Sequence, residues 1–178
     1  MSDKPVVTTL KYYGISPWEI EVIYGIFKDR FIVKQEETEP TDPNFVSILN
    51  VPIPLAFNEV FFKWFDFRRW DKLKWRLKEM KRRRGKGKAI KIDISFTGNP
   101  NIRFIIDLDD SHAFNNAVEK IDFVLELLQY HLDPEKLPQN VTEVIYNFDI
   151  ETARWKLNTA QSDGKKFVLG KNGWEILT

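Results

Sequence analysis

A chain of 178 residues that is 43% hydrophobic and 14% aromatic holds enough apolar material to close a core, which excludes a disordered tail or linker. It has no cysteine, so disulfides, thiolate metal sites and a cysteine nucleophile are excluded as well. The formal net charge is only +1, but the charges are distributed very unevenly.

The amino terminus, MSDKPVVTTL, lacks the apolar core of a signal peptide. No later stretch reaches the roughly 18 uninterrupted apolar residues of a membrane span. An intracellular, cytoplasmic location is therefore expected, with no membrane span. The expected fold is a single α+β domain over residues 1–178. It would combine a mixed or antiparallel sheet, two principal amphipathic helices and a C-terminal β-meander over residues 139–178.

After a short polar start, Glu19 to Lys34 (EIEVIYGIFKDRFIVK) is rich in Ile, Val, Tyr and Phe and reads as a core hairpin turning at Lys28-Asp29. Residues 36–44 (EETEPTDPN) are acidic and carry Pro40 and Pro43, so a surface loop is expected. Val51-Pro52-Ile53-Pro54-Leu55 continues as an extended segment, because each proline pushes its predecessor out of helical geometry. Asn58 is placed to cap a helix, but the apolar residues after it (Val60, Phe61, Phe62, Trp64, Phe65, Phe67) surround a helix rather than striping it. Periodicity leaves that element between a buried helix and a partial strand.

Arg68 to Lys91 (RRWDKLKWRLKEMKRRRGKGKAIK) carries the main functional signal. It holds thirteen Lys and Arg against Asp71 and Glu79, a formal +11 that leaves −10 for the rest of the chain. Trp70, Leu73, Leu77 and Met80 fall in one helical stripe about 80° wide, which is the expected core face. Trp75 lies about 140° from Trp70, among cations. Gly85 and Gly87 are expected to end the helix within the basic run.

Ala89 to Phe96 alternates, Ile102 to Leu108 is rich in branched apolar residues, and residues 97–101 (TGNPN) make a turn between them, so a hairpin is expected. Asp109-Asp110-Ser111 then supplies an N-cap. Apolar residues from Phe114 to Leu132 recur at helical spacing, predicting one long amphipathic helix that stops at Asp133-Pro134. The remainder reads as short strands with turns at Asp149-Ile150, at residues 161–164 (QSDG) and at residues 171–173 (KNG), with Asn172-Gly173 the strongest hairpin signal. Tyr146, Trp155 and Trp174 are expected as core residues on the sheet face rather than as a ligand cage.

Lys and Arg neutralise phosphates and release counterions, while an exposed aromatic stacks on a base. The leading expectation is therefore a non-enzymatic polyanion-binding module, with nucleic acid as partner. Its ligand-binding residues are Arg68, Lys72, Trp75, Arg76, Lys78, Arg82, Arg83, Arg84, Lys86 and Lys88. Neutralising about six phosphates would cost about a thousandfold in affinity between 50 and 200 mM salt. The opposing reading is a solvated helix face balanced by the chain's own acidic surface.

Other classes stand beside it. A protein-interaction or scaffold subunit would use the acidic surface or the C-terminal strands. A module for anionic membranes would use the same positive field, and the order of hairpin and closing helix is similar to that of pleckstrin-homology-like folds, which implies phosphoinositide binding. A Mg-dependent nuclease would use Asp93, Asp107, Asp109 and Asp110 with His112. His112 and His131 stand about 28 Å apart on one continuous helix and cannot share a metal. No Ser-His-Asp order, phosphate-binding glycine loop or dinucleotide fingerprint occurs. Neither a catalytic residue nor a cofactor is assigned.

Overall fold

The computed structural model of the chain describes residues 4–177. Its strands are β1 (Val7–Tyr13), β2 (Ile32–Glu37), β3 (Ser47–Ile53), β4 (Ile90–Phe96), β5 (Asn101–Ile106), β6 (Val141–Asp149), β7 (Arg154–Ser162), β8 (Lys165–Gly170) and β9 (Gly173–Ile176). They form one mixed sheet in the order β2-β1-β3-β4-β5-β6-β7-β8-β9. The α+β class, the mixed sheet and the terminal meander are those expected. β6 to β9 pair antiparallel in succession.

Three parallel pairs, β1/β2, β3/β4 and β5/β6, require crossovers, and helices supply them. α1 (Pro17–Phe27) links the first pair, α2 (Glu59–Phe65) and α3 (Phe67–Arg84) the second. The third crossover contains α4 (Ser111–Glu119), a 3₁₀ segment (Asp122–Leu127) and α5 (Leu128–His131). The helices gather on one side. On β4, Ile90, Ile92, Ile94 and Phe96 are buried toward them, while Lys91, Asp93 and Ser95 point to the other face. That face is polar and internally paired: Lys91 meets Asp42 at 3.3 Å, and Arg103 bridges Asp93 and Glu143.

Aromatics fill the space between the layers. Phe57 packs against Phe62, Phe96 and Phe104, and Phe104 in turn against Tyr146 and Trp155. Tyr146 and Trp155 are buried, as expected of core residues, whereas Trp174 is only half-buried against that core.

Four details correct the sequence reading. The polar start contains β1, a strand between β2 and β3. The expected hairpin over Glu19 to Lys34 is instead α1 followed by β2. Ser16 caps α1 in a capping box: its Oγ accepts from the Glu19 amide at 3.2 Å, and Glu19 Oε1 accepts from the Ser16 amide at 3.3 Å. The long helix after Asp110 is broken after Glu119, with the 3₁₀ segment and α5 taking its place; Asp110 nevertheless caps α4, accepting from the Ala113 amide at 2.9 Å. It therefore leads across to β6, and the expected likeness to a hairpin with one closing helix goes with it. Positive φ at both positions of a two-residue turn occurs at Asp163-Gly164 (51° and 75°), whereas in the Asn172-Gly173 pair Gly173 takes it. The ambiguous element after Asn58 is helical, with Asn58 Oδ1 accepting from the Phe61 amide at 2.9 Å.

Candidate nucleic-acid interface

α3 has the phase that its sequence predicts. Trp70, Leu73, Leu77 and Met80 are each at most 1% exposed. Trp75, on the other side, is 55% exposed. Asp66 caps the helix by accepting from the Arg68 amide at 3.0 Å, and Gly85, at φ 79°, ends it.

The basic residues of the 68–91 stretch divide into two groups. Several are held by other groups of the chain, carboxylates in every case but that of Lys81. Lys78 meets Glu119. Arg82 and Arg83 share Glu79, whose carboxyl is held down at about 2, chiefly by its hydrogen bonds from Arg82. Arg84 reaches Glu19 with two 2.8 Å bonds and also donates to Ser47 Oγ at 3.0 Å. Lys74 sits among Glu119, Asp71 and Asp122 at 3.3 to 3.5 Å. Burial would lower its pKa, but Asp122 and Glu119 outweigh that and raise it. Lys81 is fully buried and donates to Gly87 O at 3.0 Å.

Arg68, Lys72, Arg76, Lys86 and Lys88 form the second group. Among the described residues none of them has a carboxylate within ion-pair distance. Arg68, Lys72, Lys86 and Lys88 are exposed. Lys86 and Lys88 lie in the loop after α3, where Lys88 Nζ stands 5.9 Å from the Phe45 ring centroid. The ten expected ligand residues are thus not one surface: Lys78 and Arg84 hold the fold together, and Arg82 and Arg83 are half-neutralised by one glutamate.

The structure brings Arg76 between two indoles. Its guanidinium carbon lies 4.8 Å from the Trp75 ring centroid and 5.7 Å from that of Trp18. The Arg83 guanidinium carbon, two turns further along α3, lies 5.2 Å from the Trp18 ring centroid. Both indoles are more than half exposed. Two recesses flank Trp75. One, of about 480 Å³, is bordered by Lys72, Arg76, Asp71, Val22 and Ile26; the other, of about 240 Å³, by Lys78, Arg82, Glu79, Ser111 and Asn115. The Asn115 Oδ1 atom is buried without a hydrogen-bond partner among the described residues.

Sequence reasoning missed Trp18. A signal was present: Ser16-Pro17-Trp18-Glu19 is a capping-box sequence with proline in the first turn, and that pattern starts a helix with Trp18 in its exposed first turn.

The carboxylates considered for a nuclease do not converge. Asp93 is occupied by Arg103, and Asp107 is half-buried past the end of β5, its pKa raised by burial. Among the described residues no group of three Asp, Glu, His or Cys side chains is placed to hold a metal ion. No described helix is long and apolar enough to cross a membrane. Compared with family models, curated proteins and solved structures, the chain has no match, so what it does has to be argued from the Trp18, Trp75 and Arg76 geometry.

Proposed function

We propose that this chain is a non-enzymatic module that binds single-stranded nucleic acid across α1 and α3. The observation that carries the reading is the Arg76 guanidinium held between the exposed indoles of Trp18 and Trp75. Every base has a π-face, so exposed indoles stack on bases regardless of sequence, and a planar cation beside them serves both base and phosphate. Arg68 and Lys72 precede Arg76 at helical spacing on α3 and share its face, and Lys86 and Lys88 add exposed charge in the loop after the helix. The acidic remainder of the chain limits attraction to this strip, which favours a defined footprint over general stickiness.

The test is tryptophan fluorescence on titration with an oligothymidylate and, separately, with inorganic polyphosphate. The reading expects quenching and tighter binding with the oligonucleotide. Equal affinity for polyphosphate would reduce the module to an unspecific polyanion binder. Binding to anionic vesicles without oligonucleotide binding would replace nucleic acid by a membrane surface.

A further inference from the structure

Toward the other end of the sheet, the meander and the third crossover border a recess of about 740 Å³. That volume lies in the roughly 300–1,000 Å³ range of small-molecule sites. β7 supplies an apolar wall through Trp155 and Leu157, and Trp174 of β9 supplies a second aromatic surface. Tyr130 and His131 of α5 also line it.

The chemistry of the border is one-sided. Lys136, Arg154 and Lys156 line it, and among the described residues no carboxylate does. Lys156 is tied to Asp149 at 2.9 Å. Lys136 and Arg154 have no carboxylate within ion-pair distance among the described residues, and Lys136 Nζ rests 3.4 Å from the Tyr130 ring centroid. His131 Nδ1 lies 3.0 Å from the Tyr146 hydroxyl. Burial, and then the charge of Lys136, lowers its pKa below the ordinary 6.5, so the imidazole is neutral at pH 7. The recess therefore joins flat aromatic walls and a neutral polar group to two uncompensated cations.

We propose that it binds a small amphipathic anion, a flat aromatic carboxylate or sulfonate, with the ring system against half-buried Trp174, over a floor formed by the edges of buried Trp155 and Leu157, and the anionic group between Lys136 and Arg154. The aromatic walls favour a planar body over an alkyl chain, because offset and edge-on ring contacts add to area burial. The unmatched cations select the sign of the ligand. This site shares no residue with the Trp18–Trp75 surface, so either proposal stands without the other.

8-Anilinonaphthalene-1-sulfonate tests it directly, with neutral N-phenyl-1-naphthylamine as the uncharged counterpart. The sulfonate is expected to bind saturably at one site per chain, with the neutral compound weaker by about tenfold or more. Lys136→Glu and Arg154→Glu each lower sulfonate affinity by about tenfold, while Trp75→Ala leaves it unchanged. Both charge reversals are at exposed positions, and an unchanged melting temperature confirms that each variant is folded. Equal binding of the neutral compound, unaltered affinity in both charge-reversal variants, or fluorescence that rises without saturation would overturn the proposal.

Discussion

Arg84 grips Glu19 through both terminal guanidinium nitrogens, each 2.8 Å from a carboxylate oxygen, and so ties the end of α3 to the first turn of α1. The same carboxylate closes the Ser16 capping box. Both side chains are largely buried, Arg84 at 16% and Glu19 at 7% exposure. A residue that sequence alone offers as a phosphate ligand is therefore a structural clamp. It also fixes how α1, with Trp18, lies beside α3.

Arg84→Ala leaves the Glu19 carboxylate buried and unpaired, and such breaks cost about 3–5 kcal/mol. Urea denaturation should show that loss. Glu19→Ala combined with Arg84→Ala should cost less than the two single losses added together, as for groups in direct contact. Strict additivity would show that the clamp carries no coupling.

The clamp also sets an acid dependence. Glu19 titrates below its ordinary value of 4.5, chiefly because of the hydrogen bonds from Arg84. A carboxyl with a depressed folded pKa contributes fully above its unfolded value, and the contribution is lost as pH falls through the folded one. The stability gap between the parent chain and Glu19→Gln should be widest near neutrality and narrow below pH 4.5. A gap that stays constant into acid would contradict this assignment.

Lys81 gives a pH dependence of the same sign in an alkaline window, from a different cause. Burial lowers its pKa, with Asp109 and Asp110 opposing the shift. Between that lowered folded value and the ordinary 10.5, the unfolded chain binds more protons, so stability rises with pH in that window. Relative to Lys81→Met, the parent should gain stability as the pH climbs toward 10.5. No relative change in that window would mean that the ammonium is solvated.

How much of this was legible in the sequence follows from what each signal depends on. The α3 stripe, the β4–β5 hairpin and the meander rest on local periodicity and turn residues, and they were readable. The strand propensity of Ile, Val, Tyr and Phe hides α1, whereas the i, i+3, i+6, i+7 spacing of Ile20, Ile23, Ile26 and Phe27, the Ser16–Glu19 box and Pro17 at the helix start mark the helix. The break after Glu119 has no proline or glycine to announce it. There Lys120 donates to Ala153 O at 2.8 Å, while Asp122 accepts from Trp70 Nε1 at 3.3 Å, and both are tertiary contacts. The pairing of Lys78 with Glu119 and of Arg84 with Glu19 spans 41 and 65 positions, so no reading of the basic run by itself separates clamps from free cations.

Two tryptophans of one helix should behave differently. Trp75→Ala should weaken oligothymidylate binding by about 1–3 kcal/mol, as for a stacking aromatic, while stability moves by no more than about 0.5 kcal/mol. Trp18→Ala should act like Trp75→Ala on binding. Trp70→Ala, at a buried position, should cost about 3–5 kcal/mol of stability. Loss of stability in Trp75→Ala without loss of binding would remove it from the interface.

The most direct measurement is the salt dependence of oligothymidylate affinity. The cations without a carboxylate partner are fewer than composition implies, and four neutralised phosphates on a single strand give a log–log slope of about −3, or about a 50-fold loss from 50 to 200 mM salt. A slope of that size, reduced in Arg76→Ala, is what the Trp18–Arg76–Trp75 surface requires. A flat dependence, or no binding at about 50 mM salt, would contradict it.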